Sequence, residues 1–321
     1  MDSNLDRSRR FHRFAALLVA GALLCAVRPA AAADEAKAAQ PAAGKPDYQH
    51  EIQAWRQDRE KGLLTENGWL TLVGLYWLDE GENKFGSDPG NKVIFPEGKA
   101  PAVAGTLVRH GKDVQVRVAP GAEVTADGKA VTEPLALKSD ATREPTVLHL
   151  GSVSFYVIQR GDKVGVRMKD SKSPALAAFH GLEYFPLQPA WRVEGRFEPY
   201  KPAKKIPISN ILGQVADEDS PGAVVFDWQG KTYRLDALPG GDKGELFLLF
   251  ADQTNGKETY GAGRFLDAEP PQGGKVVVDF NTAYNPPCAF TAFATCPLPP
   301  AQNRLAVRVE AGEKKYAGSA H

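Results

Sequence analysis

Apolar residues repeat at helical spacing in one segment near residue 50 and at every second position in many later segments. Within residues 48–66, Ile52, Trp55 and Leu63 are spaced as on one helical face, and charged residues fill the other faces. This pattern predicts one amphipathic helix that ends near Gly62. No later segment predicts a second long helix.

Short segments rich in β-branched and aromatic residues follow, separated by Gly, Pro, Asn and Asp. Valines alternate with other residues in 114–120, and the segments 153–160 and 163–170 flank a hairpin turn at Gly161-Asp162. Such spacing predicts a mostly β protein of two packed sandwich- or barrel-like units with one N-terminal amphipathic helix. The remaining strand candidates are 222–238 with a turn at Gln229-Gly230, 244–252, 274–280 and 304–312.

Residues 1–33 have the order of a secretory signal peptide: a basic head, the apolar run 14–27 and a row of alanines before Asp34. The apolar run is short for a transmembrane helix, so a membrane anchor is the weaker alternative, and no second run of membrane length follows. We therefore expect an exported protein, periplasmic or extracellular, with no membrane span after signal cleavage. The pair Arg9-Arg10 leaves the route open between Sec and twin-arginine export.

Removal of the signal peptide leaves 34 basic and 37 acidic side chains, a net charge of −3. This balance gives no electrostatic footprint for nucleic acid. Alanine, lysine and proline dominate residues 34–47, which predicts a flexible tether. We divide the remainder into the helix 48–66, a first β unit 67–197, a segment 198–221 that is either a linker or a strand pair with a loop, and a second β unit 222–318.

Three segments of the first β unit carry a recognisable pattern: GLYWLDEGENKFGSDPGNKVIFP, VTADGKAVTEPLALKSD and LHLGSVSFYVIQRG. They resemble a forkhead-associated β-sandwich. That resemblance implies phosphothreonine binding by an arginine beside the first glycine and a serine–histidine pair in the next loop. Here Ser87 takes the first position, and residues 97–105 supply neither serine nor histidine. We therefore expect a structural or docking module instead of a phosphopeptide reader.

Three longer segments are GWLTLVGLYWLDEGENKFGSD (68–88), YGAGRFLDAEPP (260–271) and DFNTAYNPPCAFTAFATCPLPPAQNRLAVRVEAGEKKY (279–316). They resemble a bacterial family known as domain of unknown function 1684, over residues 50–316. The family has no assigned reaction, so the resemblance implies relatives without implying chemistry.

Polar side chains cluster where the predicted strand 274–280 becomes a loop. Arg264 lies in a strand that we expect to pair with it as a hairpin, so the arginine could approach Asp279 and help to form a polar pocket. The alternative is a structural network in which Arg264 pairs with Asp279 or Asp252, because a buried arginine requires a carboxylate partner. The candidate polar site comprises Arg264, Asp279, Asn281, Tyr284 and Asn285.

Cys288 and Cys296 lie eight positions apart in a segment that we expect outside the cytoplasm. An oxidising compartment favours a disulfide between them. Two alternatives remain: a zinc site, which requires further ligands, and a catalytic cysteine, which requires a base. No histidine lies between residues 181 and 320 to supply either.

No nucleophile–base pair, metal quartet or cofactor motif is visible in the sequence. We therefore expect no cofactor and no metal. The favoured hypothesis is a non-enzymatic module that binds a small ligand or an envelope protein at the loop end of the second β unit. The alternative is a hydrolase-like enzyme that uses Asp279 and Tyr284, with Cys288 as an optional third residue.

Overall fold

The computed structural model describes residues 47–318, so the predicted signal peptide and residues 34–46 of the predicted tether lie outside the described residues. The helices are α1 (Tyr48–Leu64) and the single turn α2 (Pro174–Ala177). The strands of the first unit are β1 (Leu72–Trp77), β2 (Gly81–Gly86), β3 (Val93–Ile94), β4 (Gly105–His110), β5 (Asp113–Val118), β6 (Thr125–Ala126), β7 (Lys129–Ala130), β8 (Leu135–Leu137), β9 (Leu148–Leu150), β10 (Val153–Arg160) and β11 (Lys163–Asp170). The strands of the second unit are β12 (Arg192–Ser209), β13 (Val215–Trp228), β14 (Lys231–Pro239), β15 (Leu246–Phe250), β16 (Arg264–Ala268) and β17 (Lys275–Asp279).

Helix α1 begins after Asp47, whose carboxylate accepts a hydrogen bond from the main-chain N–H of Gln49 at 3.3 Å. It buries Ile52 and Leu63, as the spacing of its apolar residues predicts. The helix ends at Leu64, two residues after the predicted end. No helix among the residues that the structure describes is long and apolar enough to cross a membrane.

The first unit is a sandwich of two sheets with strand orders β1-β11-β10-β9-β6-β7 and β3-β2-β4-β5-β8. Strand β5 buries Val114 and Val116, in agreement with the predicted alternation. Its core centres on Phe85, Phe95 and Phe155, whose ring centroids lie 5.2–5.9 Å apart. Full burial of each such ring stabilises the fold by about 1.5–3 kcal/mol.

The second unit is one six-stranded sheet with the order β16-β15-β14-β13-β12-β17. Strands β12 and β13 form a long hairpin that contains residues 198–221. The sheet curves into a half-barrel, because Phe265 of β16 and Tyr284, which follows β17, exchange main-chain hydrogen bonds of 2.9 and 2.8 Å. The predicted hairpin between β16 and β17 is therefore wrong: β16 pairs with β15, and β17 pairs with β12.

Residues 304–312 do not form the predicted strand. Their main chain follows an irregular path in which Leu305 N–H donates to the carbonyl of Ala251 at 2.7 Å. The carbonyls of Val309 and Ala311 accept hydrogen bonds from the Arg264 guanidinium instead of from a neighbouring strand. The alternating valines of this segment fill the core of the half-barrel without a strand partner.

Candidate functional site

Arg264 and Asp252 form an ion pair in the interior of the second unit. Nη2 of Arg264 lies 2.7 Å from Oδ2 of Asp252, and both side chains are fully buried. Burial lowers the pKa of Arg264 below its usual value, and the Asp252 carboxylate opposes that shift. The other carboxylate oxygen accepts from the main-chain N–H groups of Thr254 at 2.8 Å and Val309 at 3.2 Å. This pair joins β16 to two loops of the core and leaves neither charge available to a ligand.

A tyrosine at the start of α1 covers Asp279 and donates a hydrogen bond to its carboxylate. The Tyr48 hydroxyl lies 2.9 and 2.7 Å from the two carboxylate oxygens, and Asn281 donates to Oδ1 from its main-chain N–H at 3.0 Å. Arg192 lies farther away, with Nε 3.7 Å from Oδ2. Burial, together with the hydrogen bond to Asp279, raises the pKa of Tyr48 well above its usual range, so the phenol stays protonated and donates.

Asn285 and Tyr284 belong to a third network, which α1 also completes. Arg59 donates from Nε to Glu313 at 2.7 Å and from Nη2 to the carbonyl of Asn285 at 3.0 Å. Glu313, which is fully buried, accepts the Asn285 N–H at 2.8 Å. The Arg59 guanidinium also lies 4.8 Å from the ring centroid of Tyr284, whose hydroxyl donates to Asp267 at 3.1 Å. This network anchors α1 to the second unit.

The five residues of the candidate polar site therefore lie in three separate networks. Asp279 and Asn281 come together, Tyr284 and Asn285 come together, and Arg264 pairs with Asp252. Protein groups bond the charged side chain of each network, although Nε of Arg264 and Oδ1 of Asn285 are buried without a hydrogen-bond partner among the described residues. The Arg264–Asp252 pair is one of the two pairings that the structural alternative names. None of the three provides an open pocket at the end of the sheet.

Cys288 and Cys296 are neighbouring buried thiols, so the structure lacks the disulfide that we predict from the sequence. The main-chain N–H of each cysteine donates to the sulfur of the other, at 3.1 and 3.3 Å, and the two thiols are hydrogen-bonded. These bonds satisfy both sulfurs without a covalent link. The hydrogen bond from Cys296 lowers the pKa of Cys288, whereas burial raises the pKa of Cys296.

The surroundings of Cys288 do not resemble those of a catalytic thiol. The neighbours that influence it are Cys296 and Arg167, and the Tyr260 hydroxyl donates to its carbonyl at 3.2 Å. None of these is a histidine base, and Cys288 is only 2% exposed, whereas reactive thiols are partly exposed. Within residues 47–318, no group of three or more His, Cys, Asp or Glu residues is arranged to hold a metal ion.

An open groove lies elsewhere in the second unit, between β14 and the segment that follows the prolines. Its volume is about 510 Å³, within the range typical of ligand sites. Strand β14 borders one side, and the chain after the 3₁₀ turn Ala301–Asn303 borders the other. The residues that line the groove are Lys231, Thr232, Tyr233, Arg234, Gln302, Arg304, Leu305 and Ala306.

Three cationic side chains line the groove, and two of them give it a net positive charge. Arg234 is paired with Glu198 and lies 3.5 Å from Asp236, so its charge is balanced. Lys231 and Arg304 are exposed, and neither forms an ion pair with any residue between 47 and 318. The groove therefore offers two cations to an anionic ligand.

Sequence reasoning missed this groove because its lining comes from two segments that are 70 positions apart. The signal that was available is local: KTYR (231–234) places polar side chains in a strand whose two neighbours are strongly apolar. In the sheet, β14 lies between β13 and β15, but β15 pairs with it only at Leu238 and Pro239, so residues 231–234 border the groove on the side that β15 leaves unpaired.

Comparison with known proteins identifies relatives but no activity. Residues 177–314 match the model of a family described as Protein of unknown function (DUF1684). An uncharacterized protein of Haloarcula marismortui, solved by NMR in solution, is 31% identical, with coverage of 43% of this chain and 78% of that one and a TM-score of 0.37. No curated protein matches the chain. The resemblance of the first β unit to forkhead-associated domains stays a prediction.

Proposed function

We propose that this chain, whose residues 177–314 belong to the DUF1684 family, is an exported, non-enzymatic binding module that captures an anionic ligand in the groove beside β14. The observation that carries the proposal is an open groove of about 510 Å³ lined by two cations without ion-pair partners among the described residues. Export follows from the predicted signal peptide, which lies outside the described residues.

The charges of the groove-lining side chains support anion binding more strongly than they support a catalytic function. Lys231 and Arg304 lie on opposite borders of the groove, so one anionic ligand can contact both. Cations at the rim of a site raise the association rate and select ligand charge, and their effect falls with ionic strength. No carboxylate lines the groove, so an anionic ligand meets no like charge there.

The hydrolase alternative has less support from the geometry. It uses Asp279 and Tyr284, with Cys288 as an optional third residue, but Asp279 is bonded to Tyr48, Tyr284 donates to Asp267, and Cys288 is 2% exposed. A substrate would have to displace protein partners from Asp279 and Tyr284 before any chemistry.

The test is fluorescence anisotropy of a fluorescein-labelled peptide of fifteen glutamates, with a fifteen-lysine peptide as the counterpart. We expect binding of the acidic peptide only, with affinity that decreases as salt is added. The double variant Lys231→Glu with Arg304→Glu should weaken binding at least about tenfold, which corresponds to about 1.4 kcal/mol.

The matched control carries the same two charge reversals away from the groove, at Lys257 and Lys315, which are both exposed in the second unit. It should bind as the unmodified chain does, because net charge changes equally in both variants. Equal weakening by both double variants, or equal binding of both peptides, would contradict a specific groove.

A further inference from the structure

The edge of β14 that faces the groove is already bonded at one end as if by another strand. The side-chain amide of Asn303 donates to the carbonyl of Asp236 at 2.8 Å, and its oxygen accepts the Asp236 N–H at 2.8 Å. These are the two bonds that a residue of a neighbouring antiparallel strand would make. The main chain of Asp236 therefore points away from β13, toward the groove side.

The direction of the Asp236 main-chain groups also fixes the direction of those of other residues in β14. Because main-chain groups of every second residue point to the same side, those of Arg234 and Thr232 also face the groove. Strand β15 cannot bond them, since it pairs with β14 only at Leu238 and Pro239. Among residues 47–318, none bonds the main chain of Thr232 or Arg234 on that side. Two N–H and two C=O groups therefore line the groove as an open edge.

An open edge is a template for a strand from another chain, and lysine on such an edge discourages unwanted pairing. The positive charge of Lys231 does not repel an acidic strand, so an acidic strand is the partner that can still pair with this edge. It could pair its carboxylates with Lys231 and Arg304 while its main chain bonds to β14. A compact anion such as phosphate would use the cations but would leave the open main-chain groups unused.

We infer that the occupant of the groove is an extended acidic segment of a partner protein, which adds to β14 as an extra strand beside Thr232 and Arg234. This inference rests on the proposed function of the groove and specifies its ligand. Specificity comes from alternate carboxylates on the added strand, because successive side chains of a strand point to opposite faces.

Backbone methylation tests the added strand directly. The probe is an acetylated and amidated octapeptide of alternating glutamate and valine, labelled for anisotropy. Two further versions carry N-methyl groups on all glutamates or on all valines. A strand uses the N–H groups of alternate residues toward one neighbour, so we expect one version to lose at least tenfold in affinity and the other to retain binding.

A substitution in the protein gives a second measurement. Proline is tolerated on an edge strand where the missing N–H faces outward, so Thr232→Pro should fold and remove one groove-facing donor. Thr232→Val is the control, because both variants lose the hydroxyl that donates to Asp227 at 2.6 Å. We expect Thr232→Pro to weaken binding of the octapeptide several-fold relative to Thr232→Val.

Different results would refute the anion-binding groove and the addition of a strand to β14. Absence of binding by both the acidic fifteen-residue peptide and the octapeptide would overturn the anion groove itself. Binding of the octapeptide that is unchanged by both methylation patterns and by Thr232→Pro would overturn strand addition and leave an anion site. Amide NMR signals of Thr232 and Arg234 that shift on peptide addition and exchange more slowly with solvent would support the added strand.

Discussion

The substitution Asp252→Asn tests whether Arg264 is a structural cation of the core. It removes the negative charge and preserves the size of the side chain. The oxygen that accepts the Thr254 N–H at 2.8 Å can stay in place as the amide oxygen. The amide NH₂ then faces Nη2 of Arg264, which lies 2.7 Å from the present carboxylate oxygen, so two donors oppose each other.

The expected loss of stability is large because the arginine cannot move to water. Both side chains of the pair are fully buried, and removal of one partner of a buried ion pair destabilises proteins by about 3–5 kcal/mol. Arg264 also donates to the carbonyls of Val309 and Ala311, so it is bound in place even without Asp252. Replacement of the arginine as well should therefore not restore full stability, since two buried carbonyls would lose their donor.

Urea denaturation followed by circular dichroism measures the change in the free energy of unfolding. The control is Asp219→Asn, which removes a carboxylate from an exposed pair in the same unit, with side chains 60% and 59% exposed. Exposed pairs contribute about 0–1 kcal/mol, so the control should be nearly neutral. A loss for Asp252→Asn no greater than for Asp219→Asn would refute the assignment of the pair as a fixed structural element.

Tyr48→Phe removes the phenol that donates to a partly buried carboxylate and should lower the free energy of unfolding by about 1.5–3 kcal/mol in urea denaturation. Gly263→Ala should destabilise by more than about 1 kcal/mol, because φ is +106° and a Cβ would lie 2.5 Å from a proline ring atom, whereas Gly261→Ala meets nothing closer than 3.8 Å and should be nearly neutral. Alkylation in denaturant without reductant should label both Cys288 and Cys296, as mass spectrometry would show; a disulfide would contradict the thiols in the structure.

The regular elements could be predicted because their signals are local. The hairpin of β10 and β11 turns at Gly161, whose φ of +60° suits glycine, and the apolar alternation of each strand fixes its inward face. The segment 304–312 shows the limit of that reasoning. Its alternation is that of a strand, yet a buried arginine occupies its main-chain acceptors, and no local pattern reports that competitor.

The site residues could not be grouped from the sequence because their partners are distant along the chain. Tyr48 and Asp279 are separated by 231 positions, and Arg59 and Glu313 by 254. Polar side chains near a sheet end have the same local pattern whether they face solvent or a helix from the other end of the chain. Only the position of α1 distinguishes an open pocket from a closed network.

Helix α1 supplies residues that stabilise the second unit, but it supplies none of the residues that line the groove. Tyr48 and Arg59 complete networks inside the unit although both lie outside the family-matched residues 177–314. The groove, in contrast, is lined only by residues between 231 and 306, all within the match. A fragment of the matched residues alone would therefore contain every residue that lines the groove but would leave Glu313 without its arginine, which is strongly destabilising. Binding to the groove should accordingly be measured on a chain that includes α1, since loss of binding by the fragment would reflect unfolding of the unit that carries β14.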